Sequence, residues 1–183
     1  MKKGGSGRLV TPFAITVLVL CGAVGAALWL AYPPWLWERT KEELRKKFPD
    51  VHRMDADDLK KWLAKTGDPK PVLIDVRPQP EYEFSHLPGA RHMALSDTPA
   101  SFGISGKTDE SLVVYDAVGK DAFAVAMSLI QRGYSRVQVL EGGIYEWANR
   151  GEPLEGSSGP TGQVRVEKSE FAVLLKHRLR AEK

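Results

Sequence analysis

The chain has 183 residues, enough for one core of moderate size with appendages, and 43% of them are hydrophobic. Its net charge of +3 is unevenly placed: residues 1–49 hold eight Lys/Arg against three Asp/Glu, and the remaining 134 hold eighteen against twenty. Basic character confined to one end excludes the broad basic surface of a nucleic-acid binder, and a single cysteine, Cys21, excludes an internal disulfide or a cysteine-based metal site. The four histidines, His52, His86, His92 and His177, show no metal-ligand spacing. No metal or cofactor is expected.

Residues 1–12 form a short basic tail with Lys2, Lys3 and Arg8. Phe13 to Tyr32 then runs without a charge, and its 20 residues as a helix would cross the roughly 30 Å of a bilayer core. Tyr32, Trp35 and Trp37 suit the membrane–water interface. The alternative is a cleaved signal peptide, with Gly25-Ala26-Ala27 as the small-residue site. The apolar run continues past it, which favours an uncleaved single-pass anchor. Arg39, Lys41, Arg45, Lys46 and Lys47 outnumber the N-terminal cations, so the positive-inside rule leans towards a cytoplasmic C-terminal domain. Gly22 with Ala26, and Ala23 with Ala27, are small residues four apart that could let two such helices pair as a homodimer.

Residues 33–52 read as a juxtamembrane spacer helix. Pro33-Pro34 ends the membrane helix, Thr40 with Glu43 fits a capping box, and the charged stretch stops at Pro49. From residue 53 the pattern alternates. Asp55 caps a helix bearing Leu59, Trp62 and Leu63, and Val72 to Val76 is a buried strand. A short helix near Glu81 to Phe84 leads to the Pro88-Gly89 turn. Strand Leu112 to Tyr115, helix Asp121 to Gln131 with Gly133 at its end, and strand Val137 to Leu140 follow. Short apolar strands separated by helices predict an α/β fold, a mainly parallel sheet covered on both faces. Residues 155–183 read as a Gly/Ser/Pro-rich linker, Glu155 to Gln163, and an amphipathic helical stripe of Phe171, Leu174, Leu175 and Leu179. That stripe either docks on its own domain, the preferred reading, or lies on a membrane surface.

Between the second strand–helix pair lies Asp116-Ala117-Val118-Gly119-Lys120-Asp121. A six-residue loop with a central glycine, running from a strand into a helix, gathers backbone N–H groups and helix-terminal positive potential into a cradle for an anion. Three further stretches accompany it: Val72-Leu73-Ile74-Asp75-Val76-Arg77 with Glu81, His86-Leu87-Pro88-Gly89-Ala90, and Leu140-Glu141-Gly142-Gly143-Ile144 with Trp147. In this order and spacing they resemble the signatures of the rhodanese family, over residues 53–154.

The resemblance implies a sulfurtransferase fold in which the first loop residue is the sulfur-carrying cysteine. That position is Asp116, which cannot form a persulfide, and Cys21 lies near the middle of the apolar run. No catalytic residue is therefore expected. The favoured function is a membrane-anchored binding or regulatory module, touching lipid through its N-terminal helix and a protein partner through the loop face. The competing class is an enzyme with residual or altered activity at the Asp116 loop, including an aspartyl nucleophile. A purely structural scaffold is the third. For Asp116 itself the simplest role is a carboxylate that caps its own helix.

Overall fold

The computed structural model describes residues 34–94, 110–166 and 170–181. The basic tail and the expected membrane helix at 13–32 lie outside the described residues. Among those described, no helix is long and apolar enough to cross a membrane.

Helix α1 (Pro34–Lys47) begins at a proline, which costs nothing in a first turn whose N–H groups have no partner. Thr40 is therefore interior to a helix and not its cap: its hydroxyl donates to the Leu36 carbonyl at 2.8 Å. Nor does α1 stand clear of the domain as a spacer. Leu44 is buried, Phe48 stacks on Phe123 at 5.4 Å, and the Arg45 guanidinium meets the Glu141 carboxylate at 2.7 Å. Asp55 caps α2 (Ala56–Ala64) as expected, accepting from the Asp58 N–H at 2.8 Å.

Strands β1 (His52–Met54), β2 (Val72–Asp75), β3 (Arg91–His92), β4 (Leu112–Tyr115) and β5 (Val137–Leu140) form one parallel sheet in the order β1-β5-β4-β2-β3. All four β4 residues are buried, as a central strand covered on both faces requires. Side chains alternate between the two sides. Leu73, Val113 and Tyr115 join the core under α2 and α5 (Gly143–Asn149). Ile74, Val114 and Val139 join the core under α4 (Lys120–Gln131) and α1. A short helix, α3 (Gln79–Phe84), follows β2.

The C-terminal region corrects two expectations. Glu155 to Gln163 is no linker: β6 (Leu154–Gly156) and β7 (Gly159–Thr161) form an antiparallel hairpin. Its backbone pairs with His86 through bonds of 2.7 and 3.0 Å, and a Cβ on Gly156 would lie 2.3 Å from the Phe84 carbonyl oxygen. Glycine there reflects close approach of two backbones, which composition alone does not separate from flexibility. The stripe from Phe171 to Leu179 is two 3-10 turns, Glu170–Leu174 and His177–Leu179, and not one helix. Strand β8 (Val164–Arg165) pairs with β9 (Arg180–Ala181) beyond them. The buried Asn149 side chain explains the break. Its amide donates to the Leu174 carbonyl at 2.7 Å and its oxygen accepts from the Lys176 N–H at 2.9 Å, taking two groups a continuous helix would use. Leu174 and Leu175 are thereby set into the main core, so this segment docks on its own domain.

Asn149→Ala leaves both backbone groups without that partner. A loss of about 1–3 kcal/mol is expected, the cost of orphaning buried polar groups, read as a lower urea midpoint with unchanged slope.

Candidate functional site

Strands β2 and β4 are neighbours in the centre of the sheet, with Asp75 opposite Tyr115. From β2 the chain moves outward to β3, and from β4 it moves the other way to β5. The carboxyl ends of β2 and β4 therefore flank the point where the winding reverses, where parallel α/β sheets open a crevice. Arg77 follows β2 and Asp116 follows β4, and both line a cavity of about 550 Å³. Glu81, Lys120, Asp121 and Tyr145 complete its polar lining, and Phe171 reaches it from the C-terminal segment.

The loop is held from behind. The Ile144 and Tyr145 N–H groups donate to the Asp116 and Ala117 carbonyls at 2.9 and 3.1 Å. This contact requires glycine at 143: its φ is +56°, and a Cβ there would stand 2.3 Å from the Asp116 carbonyl oxygen and 2.7 Å from the Ala117 carbonyl carbon. Gly142, with φ +88°, brings the chain into that turn.

With its carbonyls turned back, the loop points its N–H groups the other way. The Asp116 carboxylate receives them. One oxygen accepts from Val118 at 2.9 Å and from Gly119, and the other accepts from the Asp121 N–H at 2.6 Å. The side chain thus caps the start of α4 and fills the anion cradle itself. Gly119 makes the bend, with φ +101°. Burial pushes the Asp116 carboxyl above the ordinary carboxylate range; the three N–H bonds pull the other way without cancelling it, and the charge of Asp121 adds to the rise.

Arg77 does not reach out as a free cation. Its guanidinium is held by Asp75 at 2.8 Å, by Glu81 at 3.4 Å and by the Ser85 carbonyl. Burial works against its charge, but Asp75 more than restores it, and its pKa lies above the usual arginine value. Tyr115, fully buried beside this pair, accepts the Leu87 N–H at 3.0 Å and is pushed well up by burial and by Asp75. Burial, with Glu81, pushes Tyr145 up to about 12.

The other signature residues serve the frame and do not line the cavity. The His86 Nδ1–H donates to the Tyr82 carbonyl at 2.7 Å, its ring stacks on Tyr82, and Glu155 sits 3.5 Å from its Nε2. The turn at Pro88 brings the Gly89 N–H to the same Glu155 carboxylate at 2.7 Å. Trp147 is buried and donates to the Pro153 carbonyl at 2.8 Å. Among the described residues, no cluster of three or more His, Cys, Asp and Glu side chains forms a metal site.

The family model for the rhodanese-like domain matches residues 55–150, more than half of the chain. This chain belongs to the rhodanese-like domain family. It is 31% identical over 109 residues to a sulfurtransferase of Allochromatium vinosum, across 60% of this chain and 99% of that protein. It is 25% identical over 127 residues to the thiosulfate:glutathione sulfurtransferase of Saccharomyces cerevisiae, across 63% of this chain and 90% of that one. The crystal structure of the Alr3790 protein from Anabaena sp. superposes with a TM-score of 0.52 at 30% identity, covering 56% of this chain and 82% of the other.

Two cavity residues carried no sequence signal of their own. Tyr145 sits two residues past the Gly142-Gly143 turn, so the rhodanese-like glycine pair that props the loop could have pointed to it. Phe171 lies outside the matched region and reads only as one member of an apolar stripe.

Two outcomes test this geometry. Gly143→Ala should destabilise the domain by about 1–3 kcal/mol or more, as overpacking against backbone does, with the largest chemical-shift changes at residues 116–119. The second concerns pH. The folded Asp116 carboxyl holds its proton to a higher pH than the unfolded one, so its contribution to stability is complete below about pH 4 and is lost as pH rises through the folded pKa. The unfolding free energy of the native chain minus that of Asp116→Asn should fall from acid towards neutral pH; a difference that rises instead would mean the cradle favours the ionised form.

Proposed function

We propose that this chain is a membrane-anchored rhodanese-like module that binds a partner at its loop face and does not transfer sulfur. The observation that carries this reading is the Asp116 carboxylate seated in the cradle, both oxygens engaged by backbone N–H groups. An external anion meets a cradle whose N–H groups are already taken. Sulfur transfer needs a thiolate to displace sulfite from thiosulfate and hold the sulfur as a persulfide until an acceptor such as cyanide removes it. The chain's one cysteine, Cys21, lies outside the matched region, within the run Phe13 to Tyr32. That uncharged run supplies the anchor, and the lysines and arginines after it favour a cytoplasmic domain.

The names of the relatives favour a second reading, a sulfurtransferase with altered activity. It requires a sulfur-accepting atom in the cavity. An aspartyl nucleophile would have to give up bonds that now hold the start of α4. The binding reading asks only for what is present: a cavity with Val118 and Phe171 as apolar walls beside Glu81, Lys120, Asp121 and Tyr145.

The deciding assay uses the full chain carrying Cys21→Ser, with and without Asp116→Cys. The parent should give no thiocyanate from thiosulfate and cyanide above background. The Asp116→Cys variant should give measurable turnover and a thiol titrating below the usual value of about 8.5, because loop N–H groups and the helix N-terminus stabilise its thiolate. Robust transfer by the cysteine-free parent would sink the non-catalytic reading.

A further inference from the structure

A second cavity, of about 450 Å³, lies between α1 and the domain, within the size range of ligand sites. Its floor is apolar: Leu36, Leu44 and Phe48 recur along one face of α1 and just past its end, with Phe171 opposite. Three cations line it, Arg39, Lys47 and Lys120, against one carboxylate, Glu43, which already pairs with Arg39 at 2.8 Å. Lys120 and Phe171 also line the loop cavity, so the two hollows share a wall. From Leu36 to Lys47 the groove follows about 16 Å of helix. Its Leu36 end stands four residues after Tyr32, the last residue of the segment read as the membrane span.

An apolar floor with surplus positive charge, opening where the chain leaves its apolar segment, fits one class of ligand. We infer that this groove seats the headgroup and upper acyl chain of an anionic phospholipid from the bilayer that the N-terminal segment enters. The lipid phosphate meets Arg39, Lys47 and Lys120, and the acyl methylenes lie along Leu36 and Phe48. Lys120 opens α4, whose first turns carry the cradle, so the lipid bears directly on the loop. This inference rests on the membrane reading and names a ligand for the face beside the loop.

The experiment places the full chain in nanodiscs of phosphatidylcholine, alone or doped with phosphatidylglycerol, and follows backbone amide exchange. Phosphatidylglycerol should slow exchange in α1 and at residues 118–121. In a variant carrying Arg39→Gln, Lys47→Gln and Lys120→Gln, half-maximal protection should need at least about tenfold more phosphatidylglycerol, since each basic group near an anionic surface is worth about fivefold. A control with Lys46→Gln, Lys65→Gln and Arg132→Gln removes equal charge away from the groove and should behave as the native chain. Equal protection in both lipids, an equal loss in the control, or the same protection from inorganic phosphate without lipid would each overturn the inference. A carbonate wash of membranes tests the anchor separately. If it releases the chain, the anchor is wrong, and flotation with phosphatidylglycerol vesicles then decides the groove: binding lost only in the groove variant supports it, and no binding overturns it.

Discussion

The loop of this domain exists because two backbones touch where a side chain would not fit. Gly143 sits against the Asp116 and Ala117 carbonyls, and the Ile144 and Tyr145 N–H groups draw those carbonyls backward. A loop with its carbonyls fixed behind has its N–H groups in front. The cradle is therefore a consequence of the glycine pair as much as of the loop's own sequence. It persists whatever residue opens the loop, because the contacts that set it are main-chain contacts. This is how a fold can keep the shape of an anion site while the residue at its centre changes.

What fills the cradle decides its electrostatics. A thiolate leaves the N–H groups available to a bound anion as sulfur moves. A carboxylate consumes them, and burial then raises the cost of its own charge. Around it the ionic groups are already paired inward: Arg77 is spent on Asp75, Glu81 and the Ser85 carbonyl, and desolvated pairs of that kind hold geometry at little net gain in stability. The cavity is left with exposed Lys120 and Asp121 at its rim and Tyr145 in its wall. Such a surface is suited to recognition, where rim charges set orientation and buried apolar area sets affinity.

The parts of the fold that read clearly from sequence are those in which one physical demand dominates. Strands β2, β4 and β5 are covered on both faces, so they appear as apolar runs, and the Asp116 loop appears as a glycine between strand and helix. Asp55 was legible because a cap is a local hydrogen bond. The edge strands β1 and β3 were not, since His52, Arg53 and Arg91 are polar residues with a side open to water. Thr40 resembled a cap because threonine serves equally well in bonding back to a carbonyl four residues earlier. The hairpin at Leu154–Thr161 and the broken turns at Glu170–Leu179 depend on distant partners, His86, Phe84 and Asn149, which no local pattern announces.

Those distant partners change what counts as the domain. The family match ends at residue 150, yet Leu174 and Leu175 lie in the same core as Leu59 and Ile144, and Phe171 walls the cavity. At the other end, Leu44 and Val51 belong to the core under α4. Both flanks converge on Lys120 and Phe171, the residues common to the two hollows. Helix α1 and Phe171, both outside the matched region, thus border the hollows beside the loop, although the two flanks bury their apolar residues in cores on opposite faces of the sheet. A flank that served only to tether the domain would have no need to pack there. Placing helix α1 and the C-terminal segment against one loop gives each flank a direct contact through which it can bear on that loop.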